Sequence, residues 1–206
     1  MANTTIAVTP GSGASVAVYN DSNSYAFQRT IAALEPSQKA TYFASYTAQS
    51  IGTGATTNII TIAGSATKKV TVSAIFLSVT ATTAASYFDV LLKKQSTADT
   101  GGTAATAATI IKADSTNGTA TAAAPAFYTA GPTAGTVTGT LAAYKIYAPI
   151  TGTPAPVTIT NVIPNQLHYG QGVVLNGTTD ILALTVNGVT PANATSWDVT
   201  VMWTEE

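Results

Sequence analysis

Residues 195–203, TSWDVTVMW, decide the fold class of this chain because their polarity alternates from one residue to the next. The apolar side of the alternation consists of Trp197, Val199, Val201 and Trp203. The polar side consists of Asp198, Thr200 and the following Thr204. Successive side chains of a β-strand point to opposite faces of the sheet. The pattern therefore predicts a strand of an antiparallel sheet that has one face on the core.

Similar runs of Thr, Val, Ile, Tyr and Phe recur from about residue 56 onward, bounded by Gly, Pro, Asn or Asp. Such runs are typical of β-strands, and no segment predicts a long helix. Val70–Val79 is apolar on both faces, which predicts a central strand covered on each side or lying at a subunit interface. The predicted strands span 58–62, 68–80, 86–95, 107–112, 136–148, 156–162, 172–175, 180–187 and 195–203.

These nine strands predict an all-β fold, an antiparallel jelly-roll-like β-sandwich preceded by an extended N-terminal arm. Their connections are irregular in length, and 180–187 with 195–203 looks like a late hairpin. A β-prism and an immunoglobulin-like sandwich are the alternatives. The immunoglobulin alternative is weakened because the chain has no Cys–Trp–Cys pattern.

The arm is assigned to residues 1–55 and the sandwich to residues 56–206. Within the arm, 16–19 predicts a short strand, and 25–34 predicts either a strand or one or two helical turns. Within the sandwich, the small residues of 97–132 predict a long inter-strand loop that contains one strand. Loops of this length often carry function or reach a neighbour, but an inert connection is an equal alternative.

The composition argues against an enzyme. Thr and Ala make up more than a third of the chain, whereas charged residues are only 8%, cysteine is absent and His168 is the one histidine. Catalysis near neutral pH usually uses His or a pair of carboxylates, and neither arrangement is evident from the spacing. Without cysteine there is no disulfide and no thiolate metal site. We expect no catalytic residue, no cofactor and no metal ion, and we interpret His168 as a structural loop residue.

Charge and hydropathy also restrict the partners. The net charge is -1, and the eight basic residues are scattered apart from the pairs Lys68-Lys69 and Lys93-Lys94. No concentrated basic surface for nucleic acid is therefore expected. No run approaches the roughly 18 consecutive apolar residues that a membrane-spanning helix needs. The N-terminus lacks the basic and apolar regions of a secretory signal, so export by that route is not expected.

Several aromatic residues in the second half of the chain offer a binding hypothesis. They comprise Phe127, Tyr128, Tyr144, Tyr147 and Tyr169. Together they could form a platform on which a sugar ring stacks. Packing in the core is the alternative and is favoured, because only 8% of the chain is aromatic and a core needs large side chains.

Three stretches of the chain resemble structural proteins of tailed-bacteriophage virions, in particular small head-decoration (cement) and head-fibre proteins. The N-terminal stretch GSGASVAVYNDSNSYAFQRTIAAL, at 11–34, is similar to a phage pattern in which a Val-rich segment with an Asp precedes an aromatic-Gln-Arg step, here Phe27, Gln28 and Arg29. ATKKVTVSAIFLSVTATTAASYFDVLLKK, at 66–94, looks like the paired strands of such jelly rolls. GTTDILALTVNGVTPANATSWDVTVMWTEE, at 177–206, looks like their closing hairpin.

The resemblance implies a non-enzymatic protein that binds the outside of the phage head and stabilises it. Its partners would be the major capsid protein and further copies of itself, as a trimer or another multimer. It would be assembled in the host bacterial cytoplasm. The residues expected to anchor it are Val16, Val18, Tyr25, Phe27 and Arg29.

Two other functions remain open at this point. A phage tail or fibre protein would bind host-surface glycan, with the loop at 97–132 as the recognition element. An enzyme that degrades envelope polysaccharide would need two carboxylates in one cleft, for which Asp180 and Asp198 are the candidates.

Overall fold

A computed structural model describes residues 39–51, 57–81, 84–105, 109–122, 124–152, 158–163, 172–187 and 195–206, together with the backbone of two strands at 15–20 and 26–31. The chain divides into two compact units, Met1–Lys39 and Ala40–Glu206. Throughout the described residues the regular secondary structure is β-strand, and no helix occurs among them.

The first unit contains β1 (Ser15–Asn20) and β2 (Ala26–Ile31). The strands of the second unit are β3 (Ala40–Ile51), β4 (Thr57–Ala63), β5 (Val70–Ala81), β6 (Ser86–Gln95), β7 (Thr103–Ala104), β8 (Ile111–Lys112), β9 (Ala126–Ala130), β10 (Val137–Ala148), β11 (Thr160–Asn161), β12 (Val173–Leu175), β13 (Ile181–Asn187) and β14 (Thr195–Glu205).

The second unit, hereafter the body, consists of two antiparallel sheets. Sheet I has the strand order β11-β5-β14-β3-β8, and β12 also pairs with β5. Sheet II has the order β10-β6-β13-β4-β9-β7. The apolar faces of the two sheets share one core cluster, so the body is a β-sandwich.

The strand order is that of a jelly roll. If β11 and β12 are counted as one interrupted strand, the eight principal strands in chain order are β3, β4, β5, β6, β10, β11/β12, β13 and β14. Sheet I then has the order first-eighth-third-sixth, and sheet II the order second-seventh-fourth-fifth. This arrangement of eight strands in two sheets is a jelly roll. The predicted all-β, jelly-roll-like sandwich is confirmed for the body.

Two predicted strand pairings are wrong. The segments 180–187 and 195–203 do not form a hairpin, because β13 lies in sheet II and β14 in sheet I. The strands of 66–94 are likewise separated, with β5 in sheet I and β6 in sheet II. Alternating polarity shows that one face of a strand is buried in the core. It does not show which sheet contains the strand, because strands of both sheets bury one face there. Both connections cross from one sheet to the other.

The core confirms the predicted apolar face of the last strand. Its four apolar residues, Trp197, Val199, Val201 and Trp203, are at most 1% exposed. Trp203 stacks on Tyr42 of β3 with ring centroids 5.7 Å apart, and Trp197 meets Phe88 of sheet II edge-on at 5.8 Å. Full burial of one large apolar side chain contributes about 1.5–3 kcal/mol, so these rings contribute much of the attraction between the sheets.

The body begins at Ala40, whereas the sequence pattern placed the start of the sandwich at residue 56. β3 pairs with β14 along nearly its whole length, and its Tyr42 and Ala44 are buried. The run ATYFASYTAQSI consists largely of Ala, Ser and Thr, which weaken the contrast between its two faces. The strand was therefore included in the predicted arm.

The stretch 97–132 contains more regular structure than the predicted loop with one strand. The predicted strand 107–112 is limited to β8, which pairs with β3 at the edge of sheet I, while residues 106–108 lie outside the described ranges. β9 pairs with β4, and β7 pairs with β9, at the edge of sheet II. The stretch thus supplies short edge strands to both sheets.

Candidate functional site

Four of the five residues predicted to anchor the chain lie in one hairpin. β1 contains Val16 and Val18, and β2 contains Phe27 and Arg29. The two strands pair in antiparallel register. The Val-rich segment and the aromatic-Gln-Arg step of the predicted motif therefore belong to one hairpin. This supports a strand rather than helical turns within 25–34. Tyr25 lies outside the described residues.

On the body, the outer face of sheet I carries a patch of side chains set by strand register. Asp198 of β14 lies opposite Ser78 of β5, and Thr200 lies opposite Phe76. Positions two apart on a strand share a face, so these four side chains form two neighbouring cross-strand rows. They belong to the polar face of TSWDVTVMW and to the matching face of β5. Phe76 remains 39% exposed there.

A groove of about 430 Å³ opens over this patch. One wall comes from the segment that leads into β11, where Ile159 is 72% exposed. Asn161 of β11 pairs with Phe76, which places this segment beside the patch. The groove therefore presents apolar and polar side chains together. It is lined by Phe76, Leu77, Ser78, Ile159, Asp198 and Thr200.

A bulge in β3 fixes the carboxylate of the groove. The register of β3 against β14 shifts between Trp197 and Val199, and Ala48 in the bulge has a φ of 54°. Its backbone N–H donates a hydrogen bond of 2.8 Å to Oδ1 of Asp198. The left-handed conformation costs a non-glycine residue about 1–2 kcal/mol, so packing and this hydrogen bond must hold it. Next to it, the hydroxyls of Ser45 and Thr200 are 2.9 Å apart.

The same bulge directs Gln49 into the interior. The side chain is fully buried, and its Nε2 donates a hydrogen bond of 2.7 Å to the carbonyl of Ile59 and a second one to the carbonyl of Tyr128. Ile59 and Tyr128 belong to β4 and β9 of sheet II. Gln49 therefore joins the two sheets directly behind the groove, which keeps the position of the bulge defined.

A second polar cluster surrounds Asp99 beside sheet II. Asn58 donates to both carboxylate oxygens at 2.9 and 2.8 Å, and Gln95 and the backbone N–H of Gly135 donate to Oδ1 at 3.2 and 2.9 Å. A cavity of about 210 Å³ adjoins the cluster. Burial, with a further contribution from the Asp99 charge, raises the pKa of Tyr128. Because donors already surround its carboxylate, Asp99 acts as a tie between the segments near 99 and 135.

Glu205 forms a third, buried cluster at the other end of β14. It accepts hydrogen bonds from the backbone N–H groups of Thr121 and Ala122, from the hydroxyl of Thr121 and from Nε1 of Trp203. Lys68 lies 3.9 Å away. Burial by itself raises the pKa of Glu205, but the hydrogen bonds outweigh it and hold that pKa below its usual value. The arrangement is structural, since it ties the 120–122 segment to sheet I.

The five predicted aromatic residues do not form a common platform. Phe127 is a buried core residue, and Tyr128 and Tyr144 are half-buried. Tyr147 is 43% exposed. Tyr169 lies outside the described residues. The favoured interpretation, packing in the core, is confirmed for Phe127. It does not hold for Tyr147, which lies on the surface.

An exposed pair of tyrosines does occur on sheet II. Tyr147 of β10 lies opposite Tyr87 of β6, and their ring centroids are 5.1 Å apart. Tyr87 is 61% exposed and was not among the predicted residues. The missing information was the register of β6 against β10, which brings together two residues sixty positions apart.

The carboxylates suggested for an enzyme are not brought together. Asp180 precedes β13 of sheet II, where it forms an ion pair with Lys94 and accepts a hydrogen bond from the N–H of Asn176. Asp198 lies on the outer face of sheet I. His168 lies outside the described residues.

Neither a metal-binding cluster nor a membrane-spanning helix occurs in the described ranges. They contain no group of three or more His, Cys, Asp or Glu side chains placed to hold a metal ion. No helix long and apolar enough to cross a membrane is found in the same part of the chain.

Comparison with known proteins gives no relative. No protein-family model, no curated protein and no solved structure matches the chain.

Proposed function

We propose that this chain is a non-enzymatic structural protein of a tailed-bacteriophage virion, which binds the outside of the capsid and stabilises it. The observation that supports this proposal is the division of the chain into an N-terminal unit with a β-hairpin and a larger jelly-roll body. Such a division suits a protein that attaches through one unit and presents the other. The N-terminal hairpin contains four of the five anchoring residues that the resemblance implied.

The surface chemistry is also consistent with assembly. Only 8% of the residues are charged, and the outer face of sheet I consists mainly of Ser, Thr and a few apolar side chains. Contacts between such surfaces form without the large cost of removing water from ions. Several large apolar side chains remain exposed on the body, namely Phe76, Tyr87, Ile111, Val137, Leu141, Tyr147 and Ile159.

Decoration would stabilise a capsid by repetition. Each copy adds a modest contact energy between neighbouring capsid subunits, and the lattice multiplies that contribution. The partners in this proposal are the major capsid protein and further copies of the chain, with a trimer as the expected assembly. The location is the capsid surface, reached after synthesis in the bacterial cytoplasm.

Immunogold electron microscopy of intact virions tests the location. The proposal expects gold particles distributed over the head. Label confined to the tail or to fibre ends would contradict decoration and would favour the alternative, a fibre protein that binds host-surface glycan.

A pair of charge reversals tests the anchoring hairpin in the full-length protein. Arg29→Glu alters the hairpin, whereas Lys112→Glu makes the same change of charge at an exposed position of β8 on the body. We expect Arg29→Glu to reduce the number of copies on purified heads and Lys112→Glu to leave it unchanged. Equal decoration by both variants and the unchanged protein would refute anchoring through Arg29.

A further inference from the structure

We infer that the groove on the outer face of sheet I binds a pyranose unit of a glycan. This inference goes beyond capsid decoration and does not depend on it. It rests on three properties of the groove: exposed apolar side chains, a carboxylate with hydroxyl neighbours, and a strained backbone that holds the carboxylate in place.

The apolar part of the groove suits the carbon-bound face of a sugar ring. Phe76 is 39% exposed and Ile159 is 72% exposed, although the rest of β5 is well packed against the core. A pyranose presents C–H groups on a ring face and hydroxyls around its edge. Aromatic rings pack against such C–H faces and contribute binding energy through the apolar area they bury. Phe76 is positioned to make this contact, with Ile159 beside it.

The polar part of the groove suits the hydroxyl edge of the same ring. Asp198 lies directly opposite Ser78, one row from Thr200 and Phe76. Oδ1 of Asp198 accepts one hydrogen bond from Ala48, and Oδ2 has no hydrogen-bond partner among the described residues. A carboxylate oxygen is a strong acceptor for hydroxyl groups, since hydrogen bonds to ionised groups are about twice as strong as neutral ones. The hydroxyls of Ser78 and Thr200 can both donate and accept.

The geometry of the groove is prepared before any ligand arrives. Ala48 holds Asp198 from a backbone conformation, φ 54°, that a non-glycine residue rarely adopts. Strain of this kind is often retained at ligand-binding positions. The volume of about 430 Å³ falls within the range of pockets that hold small molecules, roughly 300–1,000 Å³.

The tyrosine pair on sheet II is the competing location, and its chemistry is less suitable. The neighbouring carboxylate, Asp89, is 2.6 Å from Nζ of Lys145. That carboxylate is therefore already engaged by a cation, whereas Asp198 has no ion pair within the described part of the chain. Tyr87 and Tyr147 thus lie beside a carboxylate whose charge a lysine already balances.

The test uses the full-length protein and saturation-transfer difference NMR with the methyl glycosides of glucose, galactose, mannose, rhamnose and N-acetylglucosamine. We expect binding of at least one glycoside, with transfer strongest to its ring C–H protons. Phe76→Ala and Asp198→Asn should each weaken that binding by about tenfold or more. The Asp198→Asn change keeps an oxygen that can accept from Ala48, so the fold should be preserved.

Tyr87→Ala and Asp89→Asn are the matched controls, since they make similar changes at the competing location. Both should bind as tightly as the unchanged protein, and the melting temperatures of all four variants should confirm that they are folded. Three results would overturn the inference: no saturation transfer to any of the five glycosides, a loss of binding that follows Tyr87→Ala, or binding unaffected by Phe76→Ala. Displacement of the glycoside by tetramethylammonium, with binding unchanged in the Phe76→Ala variant, would indicate a cation site. That result would also overturn the inference.

Discussion

Ala48 shows how a single residue shapes the surface of the body. Its φ of 54° places the bulge of β3 so that its own N–H points to Asp198 while the next side chain, Gln49, enters the core. One backbone irregularity therefore connects the outer groove with the interface between the sheets. The cost of this conformation is the strain that alanine experiences in the left-handed region.

Replacement of Ala48 by Gly should stabilise the protein. Glycine adopts positive φ without strain, which relieves about 1–2 kcal/mol, while its extra freedom in the unfolded chain costs about 0.4–1 kcal/mol. The expected gain in the free energy of unfolding is about 0.5–1 kcal/mol, measured by urea denaturation. Ala143→Gly, at an exposed position of β10, is the control and should destabilise. A loss of stability in both variants would mean that Ala48 is unstrained.

Glu205 makes the stability of the body dependent on acid. Its pKa in the folded protein is lower than the usual 4.5. Its contribution to stability is therefore complete above that usual pKa, and it is lost as the pH falls through the lower pKa of the folded state. We expect stability to decline below pH 4.5, the starting value for this group.

Glu205→Gln should lower the free energy of unfolding at pH 7 by about 2 kcal/mol, because several hydrogen bonds to a charged acceptor are weakened. The variant should also lose less stability in acid than the unchanged protein. Glu206→Gln is the control, since Glu206 pairs with Lys69 at 3.0 Å near the surface and should matter by less than about 0.5 kcal/mol. Identical acid denaturation of the Glu205→Gln variant and the unchanged protein would contradict this account.

At the scale of elements, the described part of the body has one long strand at a sheet edge. β10 has twelve residues, whereas the other edge strands of the two sheets, β7, β8 and β11, have two each. The register of β10 against β6 shifts twice, at Val137/Gly139 and Thr140/Ala142, and Lys145 lies in its regular half. Bulges and lysines at an edge discourage pairing with another chain. The edge of β10 is thus protected against uncontrolled association.

The pairing of β12 with β5 depends on a glycine. A Cβ atom at Gly172 would lie 2.1 Å from the carbonyl oxygen of Val72, a distance that no packing permits. Gly172→Ala should therefore displace β12 and lower the free energy of unfolding by about 2 kcal/mol or more. Gly139→Ala is the control, because nothing lies within 4 Å of its added Cβ. Thermal melts of both variants give the comparison, and equal melting temperatures would refute the close approach.

At the scale of the whole molecule, the buried core formed by the described residues lies in the second unit. The buried cluster begins at Tyr42 and extends to Trp203, with contributions from both sheets. The fragment Ala40–Glu206 should therefore fold alone and melt within about 4 °C of the full-length protein.

The fragment 56–206, which starts at the boundary expected from the sequence, lacks β3 and exposes the flank of β14. It should not give a cooperative melt in calorimetry, and a cooperative melt would show that β3 is dispensable.

Much of the strand content was predictable from the sequence, and the candidate groove was not. β5, β6, β10, β13 and β14 were expected close to their observed bounds because their apolar residues are large and regularly spaced. β3 was missed because small residues dominate it, and β9 because it lies within a stretch of Ala and Thr. Ser78, Phe76 and Ile159 had no shared signal in the sequence, since only strand register brings them to Asp198.

The sequence by itself determined that the body is all-β, because alternating polarity specifies which face of each strand is buried. The sequence also showed that charged residues are scarce and cysteine is absent, which excludes disulfides and thiolate metal sites. The tertiary structure decided to which sheet each strand belongs and therefore which residues become neighbours. A core face can be buried equally well against either sheet, so the jelly-roll order, the bulge at Ala48 and the groove follow only when all strands pack together.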